Sequence, residues 1–258
     1  MGIGMGIGIR GGGGWSPAAL WGLRAWGDCS RAVYQDPAMT VVALAGDPVG
    51  GVPDRSGREH HALQGTTSLK PTRVLSAFPS GRGGLSFDGV EDRLILSGLG
   101  SSFSGSDVPF SVGMVFKVTD TASRAVQGLG YSASSASYAM VYVTGSALTQ
   151  YRRDDSLAWV SLSGPALAVN QAQAIIATFG ESPGVVARIL VNRGVESVGT
   201  MDVGVTTVDR FVIGAVERSG SPLYPFKGVI GCWVVVARVL NAAERKALSA
   251  YLMDWAGV

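Results

Sequence analysis

Three observations predict an all-β sandwich of two antiparallel sheets, closed by one short C-terminal α-helix. Short apolar runs with a period of two recur along the chain. Glycine is abundant enough to supply a turn between each of them. Only one long segment, at the very end, carries the helical period. Of 258 residues, 37 are glycine, 16% are charged and 47% are hydrophobic. Ordinary proteins carry about 7% glycine and about 25% charge. The hydrophobic content excludes intrinsic disorder for most of the chain. With no Gly-X-Y period, collagen is excluded as well.

The elements follow in order. Ser16-Pro17 predicts the start of a short helix carrying Leu20, Trp21 and Leu23. The clearest strand is Phe110 to Val118, with Phe110, Val112, Met114, Phe116 and Val118 on one face and Ser111, Gly113 and Lys117 on the other. Similar runs cover Gly84–Phe87, Arg93–Leu96, Tyr138–Val143, Leu157–Leu162, Ala174–Phe179, Val185–Val191 and Arg210–Ile213. The run Val229 to Val239 is apolar on both faces and is expected to lie centrally. Asn241 followed by Glu244 reads as a capping box. Leu248, Tyr251, Leu252 and Trp255 then form one apolar stripe.

The glycines fall into two populations. Eight lie in the first fourteen residues, MGIGMGIGIRGGGG, and the others serve the body. Domain organisation is therefore read as a tail over residues 1–15 and a sandwich over residues 16–258. In the tail, Gly2, Gly4, Gly6 and Gly8 alternate with Ile3, Met5, Ile7 and Ile9. An extended chain of this pattern places every apolar side chain on one face and bare backbone on the other, which suits attachment or oligomerisation. The formal GxGxxG at Gly6, Gly8 and Gly11 is not read as a dinucleotide site, because no strand precedes it and no βαβ unit surrounds it.

Charge and cysteine content mainly exclude. The balance of 21 basic and 19 acidic residues, with no basic run longer than Arg152-Arg153, speaks against nucleic-acid binding. Cys29 and Cys232 have no metal-ligand spacing; a single long-range disulfide between them stays open. No apolar run is long enough to insert into a membrane. Neither a signal-peptide pattern nor a myristoylation pattern opens the sequence, so synthesis in a host cytoplasm is expected.

Several segments carry a family resemblance. They are AWGDCSRAVYQDPA, GDPVG, DRSGREHHALQ and KPT between Ala25 and Thr72, then GGLSFDGVEDRLIL, and finally FKGVIGCWVVVARVLNAAERKALSAYL. Over residues 20–258 this resembles the laminin-G-like, concanavalin-A-like lectin domain of tailed-phage and prophage virion proteins. Here His60 stands where that pattern has asparagine, Lys70 where it has arginine, Glu91 where it has aspartate and Asn241 where it has serine. The resemblance implies a jelly-roll sandwich serving as a glycan-binding or virion-surface module. Calcium is sometimes held between the loops of related sandwiches.

Four groups are candidates for chemistry. Asp88, Glu91 and Asp92 form the densest acidic cluster; Asp88 and Asp92 are calcium candidates, set against a turn in which Asp92 pairs with an arginine such as Arg93. Asp47 reads as a turn residue. His60-His61 reads as packing or turn. Tyr131, Tyr138, Tyr151 and Trp159, with Arg152 and Asp154, mix aromatic faces with polar groups as sugar rings require, set against a reading as core aromatics beside a solvated loop. A glycosidase would need two carboxylates about 5–9 Å apart across a scissile bond. Asp154 and Asp155, being adjacent, would face opposite ways on a strand.

The expectation is thus a non-enzymatic virion structural protein on a fibre, spike or head surface. It would need no cofactor and be anchored to other virion proteins by its tail as a homo-oligomer, with a trimer favoured. The alternative is a receptor-recognition protein for a host surface glycan; a glycan depolymerase ranks last.

Overall fold

The computed structural model describes residues 14–180, 184 and 186–258. The glycine tail with Gly2 to Ile9 lies outside them. Two antiparallel sheets face each other. The first runs Ser197–Thr200, Val186–Val191, Gln173–Phe179, Phe110–Val118, Lys227–Val236, Gly84–Asp88 and Thr72–Val74. Leu23–Asp28 joins it by pairing with residues 232–236 of the long Lys227–Val236 strand, whose residues 227–230 pair with Gly84–Asp88. The second runs Trp159–Ala166, Ala147–Arg153, Ser134–Thr144, Arg124–Tyr131, Arg210–Ile213, Leu94–Leu96, Ala62–Leu63 and Gly51–Val52.

Between the sheets lies the main core. Phe110, Val112, Met114, Phe116 and Val118 all enter it, as the alternation predicts. Phe110 stacks on Phe179 with ring centroids 4.2 Å apart. Each such ring contributes about 1.5–3 kcal/mol by leaving water. The other face of this strand is also buried. There Val115 joins a second cluster with Ile176, Cys232, Val234, Leu248, Leu252 and Trp255, beneath the terminal helix.

That helix spans Ala242–Ala256. Its capping box is formed: the Asn241 side chain accepts from the Glu244 amide and the Glu244 carboxylate accepts from the Asn241 amide. Arg238 holds the same carboxylate in a bidentate pair at 2.7 Å. Gly231 lies under Trp255, leaving no room for a Cβ.

Several expectations are corrected. Ser16-Pro17 starts only a 3₁₀ turn, Pro17–Ala19, with no side-chain cap, and Leu23 begins a strand. The strand expected from Leu157 starts at Trp159, because Leu157 sits in a turn. The last strand stops at Val236. The disulfide does not form. Cys29 points into the intersheet core and Cys232 into the cluster under the helix, so the two thiols lie on opposite faces of one sheet.

Candidate functional site

The outer face of the second sheet carries an aromatic stack that cross-strand register assembles. Tyr138 lies opposite Arg153, which lies opposite Trp159. In the next row Met140 lies opposite Tyr151, which lies opposite Ser161. The rings meet diagonally. Tyr138 and Tyr151 stack at 5.1 Å with planes 16° apart, and Tyr151 and Trp159 at 5.5 Å with planes 15° apart. Tyr138 is 5% exposed and forms the base, whereas Trp159 is 60% exposed. Tyr142 extends the face toward Tyr224, 6.2 Å away.

A wall rises beside this floor. The hairpin of Val216–Arg218 and Ser221–Leu223 lies directly over Arg124–Tyr131. It can do so because Gly128 and Gly130 present no side chains: a Cβ at either would collide with Val216 or with the Glu217 carbonyl. Val216 packs on Tyr138 and Met140, with Leu223, Tyr142, Tyr151 and Tyr224 at its margin.

Two cations flank the base of the stack. The Arg218 guanidinium lies 4.2 Å from the Tyr138 ring centroid and that of Arg153 lies 5.1 Å from it. Both donate to the Ser135 carbonyl. Neither has a carboxylate partner among the described residues; Glu217, next to Arg218, is taken by Arg93 and Arg210. Arg218 Nε has no hydrogen-bond partner among the described residues. Burial pushes the Tyr151 phenol well up, so it stays a neutral donor.

Bulky residues in the left-handed region stand at both margins, Leu157 at φ 73° and Tyr224 at φ 53°. That conformation costs about 1–2 kcal/mol in a side chain with a Cβ and persists only where its surroundings impose it. At Leu157 they do. The Asp154 carboxylate accepts from the Ser156 hydroxyl and from the Ala158 and Gly204 amides, while the Leu157 amide donates to the Asp154 carbonyl. Burial opposes ionisation of Asp154, but these donors outweigh it and hold its carboxyl below the usual range. The turn so built presents Leu157, Trp159 and Val205, all more than half exposed.

Of the six residues singled out from sequence, three meet: Tyr138, Tyr151 and Trp159. Tyr131 lies at the end of its strand, half-buried, and its carbonyl accepts from the Ser219 amide. Arg152 is corrected. It is 1% exposed, points between the sheets and faces Asp107 at 3.6 Å. Asp154 is corrected too, from a sugar contact to the organiser of a turn. Sequence reasoning missed Tyr142, Arg153, Arg218 and Tyr224. Alternation could have found Arg153, since Tyr151 and Arg153 share a strand face that Arg152 cannot.

The other candidates serve their own loops. Asp88 accepts from the Val90 and Glu91 amides, and Asp92 from the Asp88 amide. Arg93 pairs with Glu217 at 3.0 Å rather than with Asp92. No group of three or more His, Cys, Asp or Glu side chains that could hold a metal gathers among the described residues; Asp88 and Asp92 serve the turn. Asp47 accepts from the Leu44 amide and the Gln35 side chain. His61 Nδ1 accepts from the Asp54 amide, and His60 Nδ1 contacts the Ser97 carbonyl.

No family model matches the chain, and no curated protein matches it. Solved structures do resemble it. The carbohydrate-binding module (CBM40) of Ruminococcus gnavus IT-sialidase, bound to α2,3 sialyllactose, has a TM-score of 0.55 at 17% identity, over 69% of this chain and 97% of that one. Domain 4 of AbnA, an extracellular GH43 arabinanase of Geobacillus stearothermophilus in complex with arabinotriose, has a TM-score of 0.53 at 15% identity, over 91% of this chain and 98% of that one. The fold is the jelly-roll sandwich that these structures share. NanB sialidase of Streptococcus pneumoniae contains a similar sandwich, with a TM-score of 0.53 at 22% identity over 62% of this chain and 26% of that one. At such identities the jelly roll alone is shared.

Proposed function

We propose that the chain is a non-catalytic glycan-binding module that receives sugar rings on the Trp159–Tyr151 face. The observation that carries this is a solvent-facing stack of parallel rings, walled on one side and bordered by hydrogen-bond donors. Sugar rings present apolar C–H faces to aromatic planes and turn their hydroxyls to such donors. Arg153 and Arg218, lacking carboxylate partners among the described residues, favour sugars that bear a carboxylate or sulfate. The nearby acids, Asp154, Asp155 and Glu217, are engaged in turns or ion pairs, which supports binding without hydrolysis.

The fold supports this reading through the module-like structures that resemble it, two of them in complex with oligosaccharides. A virion-surface setting, with residues 1–15 attaching a homo-oligomer to other virion proteins, rests on the sequence resemblance alone. An array of neutral, carboxylated and sulfated oligosaccharides tests the glycan reading. Binding to acid-bearing glycans, reduced at least tenfold by Trp159→Ala, is expected. Binding that ignores Trp159→Ala, or no binding across the array, overturns it.

A further inference from the structure

We infer that the opposite side of the sandwich carries a second ligand site, an arginine-lined cleft that takes an oxyanion on a flat apolar body. The cleft, about 540 Å³, opens where Leu23–Asp28 meets the terminal helix. Trp26 and Asp28 alternate onto the outer face of their strand; Tyr251 and Trp255 project from the helix one turn apart.

Charge decides the ligand. Asp28 is 6% exposed, and its Oδ1 is saturated by the Ser30 amide, the Ser30 hydroxyl and the Trp255 indole N–H. Its Oδ2 faces Arg31 at 3.6 Å and Arg55 at 4.0 Å, too far for close pairing with either. A third guanidinium, Arg82, lines the same cleft, and among the described residues its one side-chain hydrogen bond is a 3.4 Å contact to the Asp254 carbonyl. Asp54 forms no ion pair with these arginines within 4 Å; its carboxylate accepts from the Trp26, Ser56 and His60 amides and the Ser56 hydroxyl. Two guanidiniums therefore share one buried carboxylate, and the third, Arg82, lines the cleft with no carboxylate within 4 Å among the described residues.

Geometry decides its presentation. Arg55 lies 4.7 Å over the Trp26 ring and Arg82 lies 5.5 Å over the Trp255 ring. Seated over indoles, both guanidiniums keep N–H groups for a planar or tetrahedral oxyanion. Trp15 and Trp26 each meet Tyr251 edge-on at 6.1 Å, which supplies an aromatic wall for the rest of the ligand. Burial pushes the Tyr251 phenol up, so its hydroxyl remains a donor beside the two arginines.

A carboxylate and a phosphate ester share this chemistry, and two probes separate them. Tryptophan fluorescence of the full chain is followed during titration with benzoate, with phenyl phosphate and with phenol. Saturable quenching by one or both anions and none by phenol is expected, and the stronger anion names the source. Arg82→Gln should weaken binding at least tenfold; Arg55→Gln should do the same, while Trp159→Ala leaves it unchanged and keeps the two sites distinguishable. Equal response to phenol, no saturation with either anion, or wild-type affinity in a folded Arg82→Gln protein overturns the proposal. Should Arg55→Gln fail to fold, Arg82→Gln alone decides.

Discussion

Trp159 lies parallel to Tyr151 on the open side of the second sheet, 5.5 Å between ring centroids, although eight positions separate them in sequence. Their strands place them in adjacent rows, with Tyr151 opposite Ser161 and Trp159 opposite Arg153. The stack runs from the exposed Trp159 through half-buried Tyr151 to the buried Tyr138. Trp159→Ala should cost about 1.4 kcal/mol or more of glycan affinity, a tenfold loss. Its melting temperature should move by no more than a few degrees, since the ring is largely in water. Tyr138→Ala should do the reverse and lose stability first. Calorimetric titration and thermal unfolding of both variants check these outcomes.

The hairpin wall depends on Gly130. Gly130→Ala would drive a Cβ into the Glu217 carbonyl and lift the hairpin from the sheet. The expected cost is about 1–3 kcal/mol of stability. Displacement of Arg218, Leu223 and Tyr224 should weaken glycan binding in the same variant. Phenyl phosphate binding in the Asp28 cleft should be untouched, because the hairpin packs on the other sheet.

Arg152 tests a stability role against a binding role. Burial holds the Asp107 carboxyl above its usual range and opposes the charge of Arg152. Arg152→Met would leave that carboxylate buried without its cation, costing about 3–5 kcal/mol in urea unfolding at pH 8. The loss should shrink toward acid pH as Asp107 takes up a proton. Glycan affinity of the folded variant should match wild type, whereas a direct ligand contact would lower it.

Asp92 gives the fold a pH dependence. Burial, aided by the charges of Asp88 and Glu91, pushes its carboxyl up to about 6 against the opposing Asp88 amide. An unfolded aspartate titrates near about 3.9. The folded state therefore binds this proton more tightly, and the stabilisation is full below about pH 4 and lost as pH rises through about 6. Asp92→Asn removes the titration while keeping an acceptor for the Asp88 amide. Its melting temperature should match wild type at pH 4 and exceed it at pH 8; an equal difference at both would refute the assignment.

Much of the sandwich was legible in advance. Phe110–Val118, Arg210–Ile213 and the Asn241 capping box match the structure because period and capping are local properties. The acidic turn at Asp88 was legible for the same reason. Leu23–Asp28 was not, since Leu23 also fitted a helical start and only pairing with residues 232–236 makes the segment a strand. Arg124–Tyr131 and Ala147–Arg153 were missed because their alternation is interrupted by glycine and polar side chains.

By itself the sequence determined the fold class, the central burial of the last strand and three members of the aromatic stack. These follow from side-chain period and composition, which each segment carries alone. Only the tertiary structure decided which face each residue serves. It sent Arg152 inward and Arg153 outward, laid the Val216–Leu223 hairpin over Gly130, and set Cys29 and Cys232 on opposite faces. Register and sheet pairing join residues far apart in the chain, and a shift of one position exchanges the two faces of a strand.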